Sequence, residues 1–167
     1  MDLILWRHAE AEDLDLTQTR DEQDEGDTTD RDRDLSRRLT ARGEKQAARM
    51  AAWLDRQLPE GVRVWSSPAV RCEQTVLALG RKYRIREELA PDRTEDDLLQ
   101  LAQWPESRQV ALVVGHQPTL GRVIARLLKL SEADCSVKKG AVWWLRQRER
   151  AGQLQTVLVT VQTPELL

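Results

Sequence analysis

Two short apolar runs that each end in a histidine constrain this chain more than any other feature. Leu3-Ile4-Leu5-Trp6 runs into Arg7-His8, and Val110-Ala111-Leu112-Val113-Val114 runs through Gly115 into His116. Runs of this length that are apolar throughout read as strands buried on both faces of a parallel sheet. In open sheets of that kind, ligands collect at the carboxyl ends of the strands. The chain has only two histidines, and both fall at such an end, so both are candidates for chemistry rather than for surface polarity.

The remaining pattern alternates between strand and helix. The spacing of Ala47, Met50, Ala51, Leu54 and Leu58 predicts a helix over 40–58, stopped by Pro59-Glu60-Gly61. A strand follows at 62–66. Ser66-Ser67-Pro68 then opens a helix over 68–80, with Ala69, Val76, Leu77 and Leu79 expected inward. A short strand near 83–86 precedes a helix over 92–103 with Leu98, Leu99 and Ala102 on one face. Beyond the strand at 110–114 a helix runs over 118–129. Segments 140–145 and 154–161, separated by a turn at Ala151-Gly152, read as a hairpin. Trp53 and Trp104 fall in helical patterns and are expected in the core. The expected fold is α/β and three-layered: a mainly parallel central sheet, helices on both faces and a C-terminal antiparallel hairpin.

One stretch departs from this pattern. Residues 13–34 are rich in Asp, Glu, Thr and Arg and nearly free of large apolar side chains, so they are expected to form a polar mobile loop beside the end of the first strand.

The chain has 167 residues, the length of one domain with a substantial core and no room for a large cap. A net charge of −2 argues against nucleic acid as a partner. No apolar stretch reaches the length of a membrane span, and the start of the chain lacks a signal-like segment. The expected protein is a cytoplasmic monomer without membrane contacts. Cys72 and Cys135 have neither redox nor zinc spacing and are expected to be buried free thiols.

A third station lies in Ser66-Ser67-Pro68-Ala69-Val70-Arg71-Cys72-Glu73-Gln74-Thr75, which sets Arg71 one turn into a helix at the same sheet edge. Arg7, His8, Arg71 and His116 would then converge. None of the four is acidic, so the expected pocket is strongly electropositive and suited to a phosphoryl dianion. Lys138 and Lys139, before the hairpin, are expected to form a solvated basic turn, with contact to substrate as the alternative.

With these segments in view, the chain resembles the histidine phosphatase superfamily, of phosphoglycerate-mutase-like fold, and within it the SixA-like phosphohistidine phosphatases. The resemblance rests on Leu5-Trp6-Arg7-His8-Ala9-Glu10, Leu39-Thr40-Ala41-Arg42-Gly43, the Ser66 to Thr75 segment and Val114-Gly115-His116-Gln117-Pro118, in the family's order. It implies that His8 is the nucleophile that becomes phosphorylated. It also implies that Arg7, Arg71 and His116 bind and polarise the phosphoryl group, with no metal or other cofactor. Neutral imidazole is a competent nucleophile, and two arginines can meet the charge on the transferring oxygens.

Ala9 stands where the family has glycine, which places a methyl group at a position normally open to positive φ. The wider family also uses a carboxylic acid to protonate alkoxide leaving groups; Glu10, Glu12 and Glu88 are the candidates here. The expected substrate is a phosphohistidine-bearing protein, because its imidazole can leave neutral once protonated on its other nitrogen. A phosphomonoesterase for a small metabolite and a non-catalytic phosphoprotein adaptor are the alternatives. Other phosphoryl-transfer signatures fit poorly. Neither cysteine is followed six residues on by arginine, since Ala78 and Ala141 stand there, and Gly115 to Arg122 lacks nucleotide P-loop spacing.

Overall fold

The computed structural model describes residues 1–14 and 29–167. Its centre is a six-stranded sheet of β1 (Asp2–Arg7), β2 (Arg63–Ser66), β3 (Arg84–Ile85), β4 (Ala111–Gly115), β5 (Val142–Arg150) and β6 (Gln153–Gln162), in the order β3-β2-β4-β1-β5-β6. The four strands from β3 to β1 are parallel; β5 runs antiparallel to β1 and β6 antiparallel to β5. The α/β fold with a mainly parallel sheet and a C-terminal hairpin is therefore as the sequence predicts.

Alternation along each strand builds two cores. Ile4, Trp6, Val64, Leu112, Val114, Val142 and Trp144 pack on one face with Met50, Leu54, Cys72 and Val76. These come from α2 (Ala41–Gln57) and α3 (Val70–Leu77), which follow the six-residue α1 (Asp30–Leu35). Leu3, Leu5, Trp65, Ala111, Val113 and Leu145 turn to the other face, against Leu98 and Ala102 of α4 (Glu95–Ala102) and Leu120, Val123 and Ile124 of α5 (Thr119–Leu127). Each fully buried Leu, Ile or Met stabilises the fold by about 1.5–3 kcal/mol. Because β1 and β4 are covered on both faces, their sequences show no polar alternation.

Local chemistry sets the helix limits. Thr40 caps α2 by accepting from the Gly43 N–H at 3.0 Å, and Thr94 caps α4 in a reciprocal capping box with Asp97. Gly43 is needed for a packing reason. A Cβ there would lie 1.9 Å from the Glu10 carbonyl oxygen, because the first turn of α2 rests on the segment that leaves β1.

Several expectations require correction. Leu77 is 56% exposed, since α3 ends there and its inward face is completed by Val76 and Leu79. Cys135 is only partly buried, whereas Cys72 is fully enclosed. Trp53 and Trp104 pack against the two cores without being fully enclosed. The polar stretch 13–34 is not loop throughout: Thr29 and Asp32 form a capping box that starts α1, and the expected loop otherwise lies largely outside the described residues, at 15–28. Ala9 does not adopt positive φ; among the described non-glycine residues that conformation occurs at Gln103, Lys129 and Ala151. Its methyl group is instead buried with Ala11, Leu39 and Ala47.

Replacing Gly43 by alanine should lower the unfolding free energy by about 1–3 kcal/mol, because the new methyl meets backbone that can move only with β1. Gly61→Ala, where a Cβ would meet nothing within 4 Å, should change it by less than about 0.5 kcal/mol. Urea unfolding of both variants checks the contrast; equal effects would contradict the packing assigned to Gly43.

Candidate active site

Parallel pairing puts the ends of β1, β4 and β2 on one edge. Arg7 lies opposite Gly115 and Ser66 opposite Val114, so the residues that follow these strands emerge side by side. The His8 N–H donates to the Gly115 carbonyl at 3.2 Å, and the Ser67 N–H donates to the Val114 carbonyl at 3.0 Å. The His8 and His116 rings are 5.3 Å apart between centroids, tilted by 55°. Arg71, in the first turn of α3, reaches back to them and is 2% exposed.

The hydrogen bonds fix both imidazole tautomers. His8 Nδ1 is 2.8 Å from the Ala9 carbonyl oxygen; a carbonyl only accepts, so Nδ1 carries the proton and Nε2 presents a lone pair. His116 Nδ1 is 3.2 Å from Arg71 Nη2, which only donates, so Nδ1 accepts. The His116 proton is therefore on Nε2, which donates to Ser67 Oγ at 2.7 Å.

Burial drives both rings neutral. It pushes the His8 pKa down to about 3, opposed by the hydrogen bond to Ala9 and reinforced by the charges of Arg71, Arg7 and Arg37. Burial, then Arg71 and the other ring, take His116 down to about 2. Cys72 Sγ lies 3.4 Å from His116 Nε2, but burial pushes its pKa up to about 12. It is a thiol and a poor nucleophile.

The arginines are held mostly by backbone oxygens. Arg7 Nη1 donates to the Val137 carbonyl at 2.7 Å and Arg71 Nη1 to the Asp34 carbonyl at 2.7 Å. Among the described residues, the buried Nε atoms of both have no acceptor. The buried Nε of Arg63, away from this site, is equally without one, so it is the gathering of two guanidinium groups beside two neutral imidazoles that suits the place to an anion. The Gln and Thr of the Ser66 to Thr75 segment brace this arrangement: Gln74 accepts from the Leu39 N–H at 2.7 Å, and Thr75 accepts from the Ala9 N–H at 3.1 Å while donating to the Arg71 carbonyl.

The sequence-predicted quartet is brought together, and the expected electropositive pocket is tempered by a carboxylate that the sequence reading did not name, Asp34. Its Oδ2 is 3.2 Å from Arg71 Nη2, and its Oδ1 is 3.0 Å from Arg37 Nε. Sequence reasoning missed both residues because Asp34 closes a polar stretch that reads as loop and Arg37 lies just beyond it, before the predicted helix. The available signal was Thr29 three residues before Asp32, a capping pattern that starts a helix ahead of Asp34. The general-acid candidates are engaged elsewhere: Glu10 with Thr40 and Arg42, and Glu88 with Arg86. Glu12 is exposed, and its backbone carbonyl accepts from Arg37. Lys138 and Lys139 are exposed beside Val137. A surface cavity of about 800 Å³ lined by residues including Asp96, Trp104 and Arg126 shares no side chain with this site.

The profile of the histidine phosphatase superfamily (branch 1) matches residues 3–98, more than half of the chain. The chain belongs to the histidine phosphatase superfamily. Among solved structures, it is similar to the protein histidine phosphatase SixA complexed with tungstate, at 25% identity over 99% of both chains and a TM-score of 0.74. It is also similar to a protein assigned as the phosphohistidine phosphatase SixA of Nakamurella multipartitia, at 27% identity over 98% of this chain and 95% of that one, with a TM-score of 0.70. A mycobacterial glucosyl-3-phosphoglycerate phosphatase shares the fold at 15% identity, over 95% of both chains and with a TM-score of 0.65. No curated protein matches the chain in sequence. Membership of this histidine phosphatase superfamily and likeness to SixA structures support phosphatase activity. Among the described residues, no helix is long and apolar enough to cross a membrane.

Both imidazoles hold protons more weakly in the folded chain than in the unfolded one, so unfolding takes up protons below the ordinary histidine pKa of about 6.5. Their contribution is therefore present above that pH and is lost as pH falls toward 3, by up to about 1.4 kcal/mol per pH unit for each ring. Urea unfolding between pH 7 and 4.5 should show this fall, and His116→Gln should reduce its steepness. A histidine NMR titration with a midpoint near 6.5 in the folded protein would contradict it.

Proposed function

We propose that this protein is a phosphohistidine phosphatase that acts on another protein and works through a phosphorylated His8. The observation that carries the reading is the His8 ring itself. Neutral, with its proton tied to the Ala9 carbonyl and its Nε2 lone pair without a partner among the described residues, it is a ready nucleophile near two arginines.

In the first step Nε2 of His8 forms a bond to phosphorus while the bond from phosphorus to the substrate nitrogen breaks. The electron pair of that bond stays on the substrate imidazole, which already carries a proton on its other nitrogen and leaves neutral. Arg7 and Arg71 balance the charge on the phosphoryl oxygens. The arriving negative charge favours uptake of a solvent proton at His116 Nδ1, which converts it from an acceptor of Arg71 into a donor to the phosphoryl group, and that proton returns to solvent when phosphate leaves. In the second step water forms the new bond to phosphorus, the electron pair of the P–N bond returns to Nε2 of His8, and the product leaves as dihydrogen phosphate with both protons of the water. The guanidinium groups supply the charge neutralisation, so neither step calls on a metal.

A protein substrate is supported by the likeness to SixA structures and by how little chain lies between α3 and β4. That interval holds β3, a one-turn 3-10 helix at Glu87–Leu89 and α4, none of which forms a cap to enclose a small molecule.

Intact-mass spectrometry of a phosphohistidine-bearing carrier domain, incubated without added metal, tests the reading. Loss of one phosphoryl group with the unsubstituted protein and none with His8→Ala is the expected result. A carrier that stays phosphorylated with both would overturn the substrate assignment and favour a small phosphate ester.

A further inference from the structure

We propose that Asp34 is a specificity-determining residue that selects substrates whose leaving group carries positive charge, and so separates phosphohistidine from phosphate esters. The proposal rests on the phosphohistidine reading and adds to it the group that recognises the leaving imidazole.

Position comes first. Arg71 Nη2 is shared by two acceptors, His116 Nδ1 and Asp34 Oδ2, each at 3.2 Å. The carboxylate and the imidazole thus flank one guanidinium nitrogen. The imidazole side is buried, with His8 and His116 at 6% and 4% exposure, whereas the Asp34 side chain is 34% exposed. Asp34 therefore stands on the outward side of the phosphoryl-binding arginine, where the rest of a substrate has to leave the site. Its backbone is held there as well, because its carbonyl accepts from Arg71 Nη1 at 2.7 Å.

Capacity comes second. Among the described residues each carboxylate oxygen accepts one arginine N–H, Oδ2 from Arg71 and Oδ1 from Arg37, which leaves each a further lone pair. A phosphohistidine protonated on its distal nitrogen offers an N–H of a cationic ring to such an acceptor, a charge-assisted hydrogen bond. That proton lets the imidazole depart neutral when the bond to phosphorus breaks, with the electron pair passing to the ring and no proton moving. A phosphate ester presents the opposite charge: its leaving oxygen gains negative charge as the bond breaks, and a neighbouring carboxylate raises that barrier. Glu10, Glu12 and Glu88 make their hydrogen bonds outside the quartet.

The experiment compares kcat/KM on a phosphohistidine-bearing carrier domain and on p-nitrophenyl phosphate for the unsubstituted protein, Asp34→Asn and Asp34→Glu. In Asp34→Asn the ratio of histidine to ester turnover should fall at least tenfold, with ester turnover rising. Asp34→Glu, which keeps the charge, should retain most of the preference. An equal fall on both substrates in Asp34→Asn would overturn the proposal and leave Asp34 as a support for Arg71. No release from the carrier by the unsubstituted protein would overturn the phosphohistidine reading together with this one.

Discussion

The site depends on the parallel pairing of β1 with β4. With Arg7 opposite Gly115, the two strands end level, and the next residue of each is a histidine. A slip of one residue would turn every side chain of a strand to the other face, sending Ile4 and Trp6 away from α2 and α3 and moving His8 away from His116. The cores on the two faces therefore hold the register, and the register holds the chemistry. The hairpin reinforces it from the other side, since the Gly140 N–H donates to the His8 carbonyl and the Ala141 carbonyl accepts from the Arg7 N–H.

From that placement follows an electrostatic arrangement in which like charge is gathered and kept off the imidazoles. Buried beside cationic groups, a histidine holds its second proton poorly. His8 and His116 are consequently neutral, and each tautomer is dictated by a partner with only one possible role: a carbonyl that can only accept and a guanidinium that can only donate. An arriving dianion changes the balance, because its charge offsets that of the arginines and favours the protonation that they oppose. The proposed chemistry uses that change and needs no further group to supply positive charge.

The sheet and the quartet were legible in the sequence because both rest on local signals. Leu3 to Trp6 and Val110 to Val114 announce strands buried on both faces, and the histidines mark their ends. Arg71 was legible from its place after Ser66-Ser67-Pro68. Asp34 and Arg37 were not, because what joins their local ion pair to the site is the contact of Asp34 with Arg71, 37 residues on, and a run of alternating Asp and Arg reads equally well as a solvated loop. The setting of Ala9 was not legible either. Backbone freedom inferred from a glycine elsewhere says nothing of the small apolar pocket of Ala11, Leu39 and Ala47 that receives the methyl group here.

The most direct test of this account locates the phosphoryl group during turnover. The protein, labelled with ¹⁵N in its histidines, would be mixed with a phosphohistidine-bearing carrier domain, and ³¹P–¹⁵N coupling would be sought on the captured enzyme. A phosphoryl group bonded to Nε2 of His8, with Nδ1 still protonated, is the predicted result. Attachment at Nδ1, at His116 or at Cys72 would contradict the tautomer assignment on which the mechanism stands.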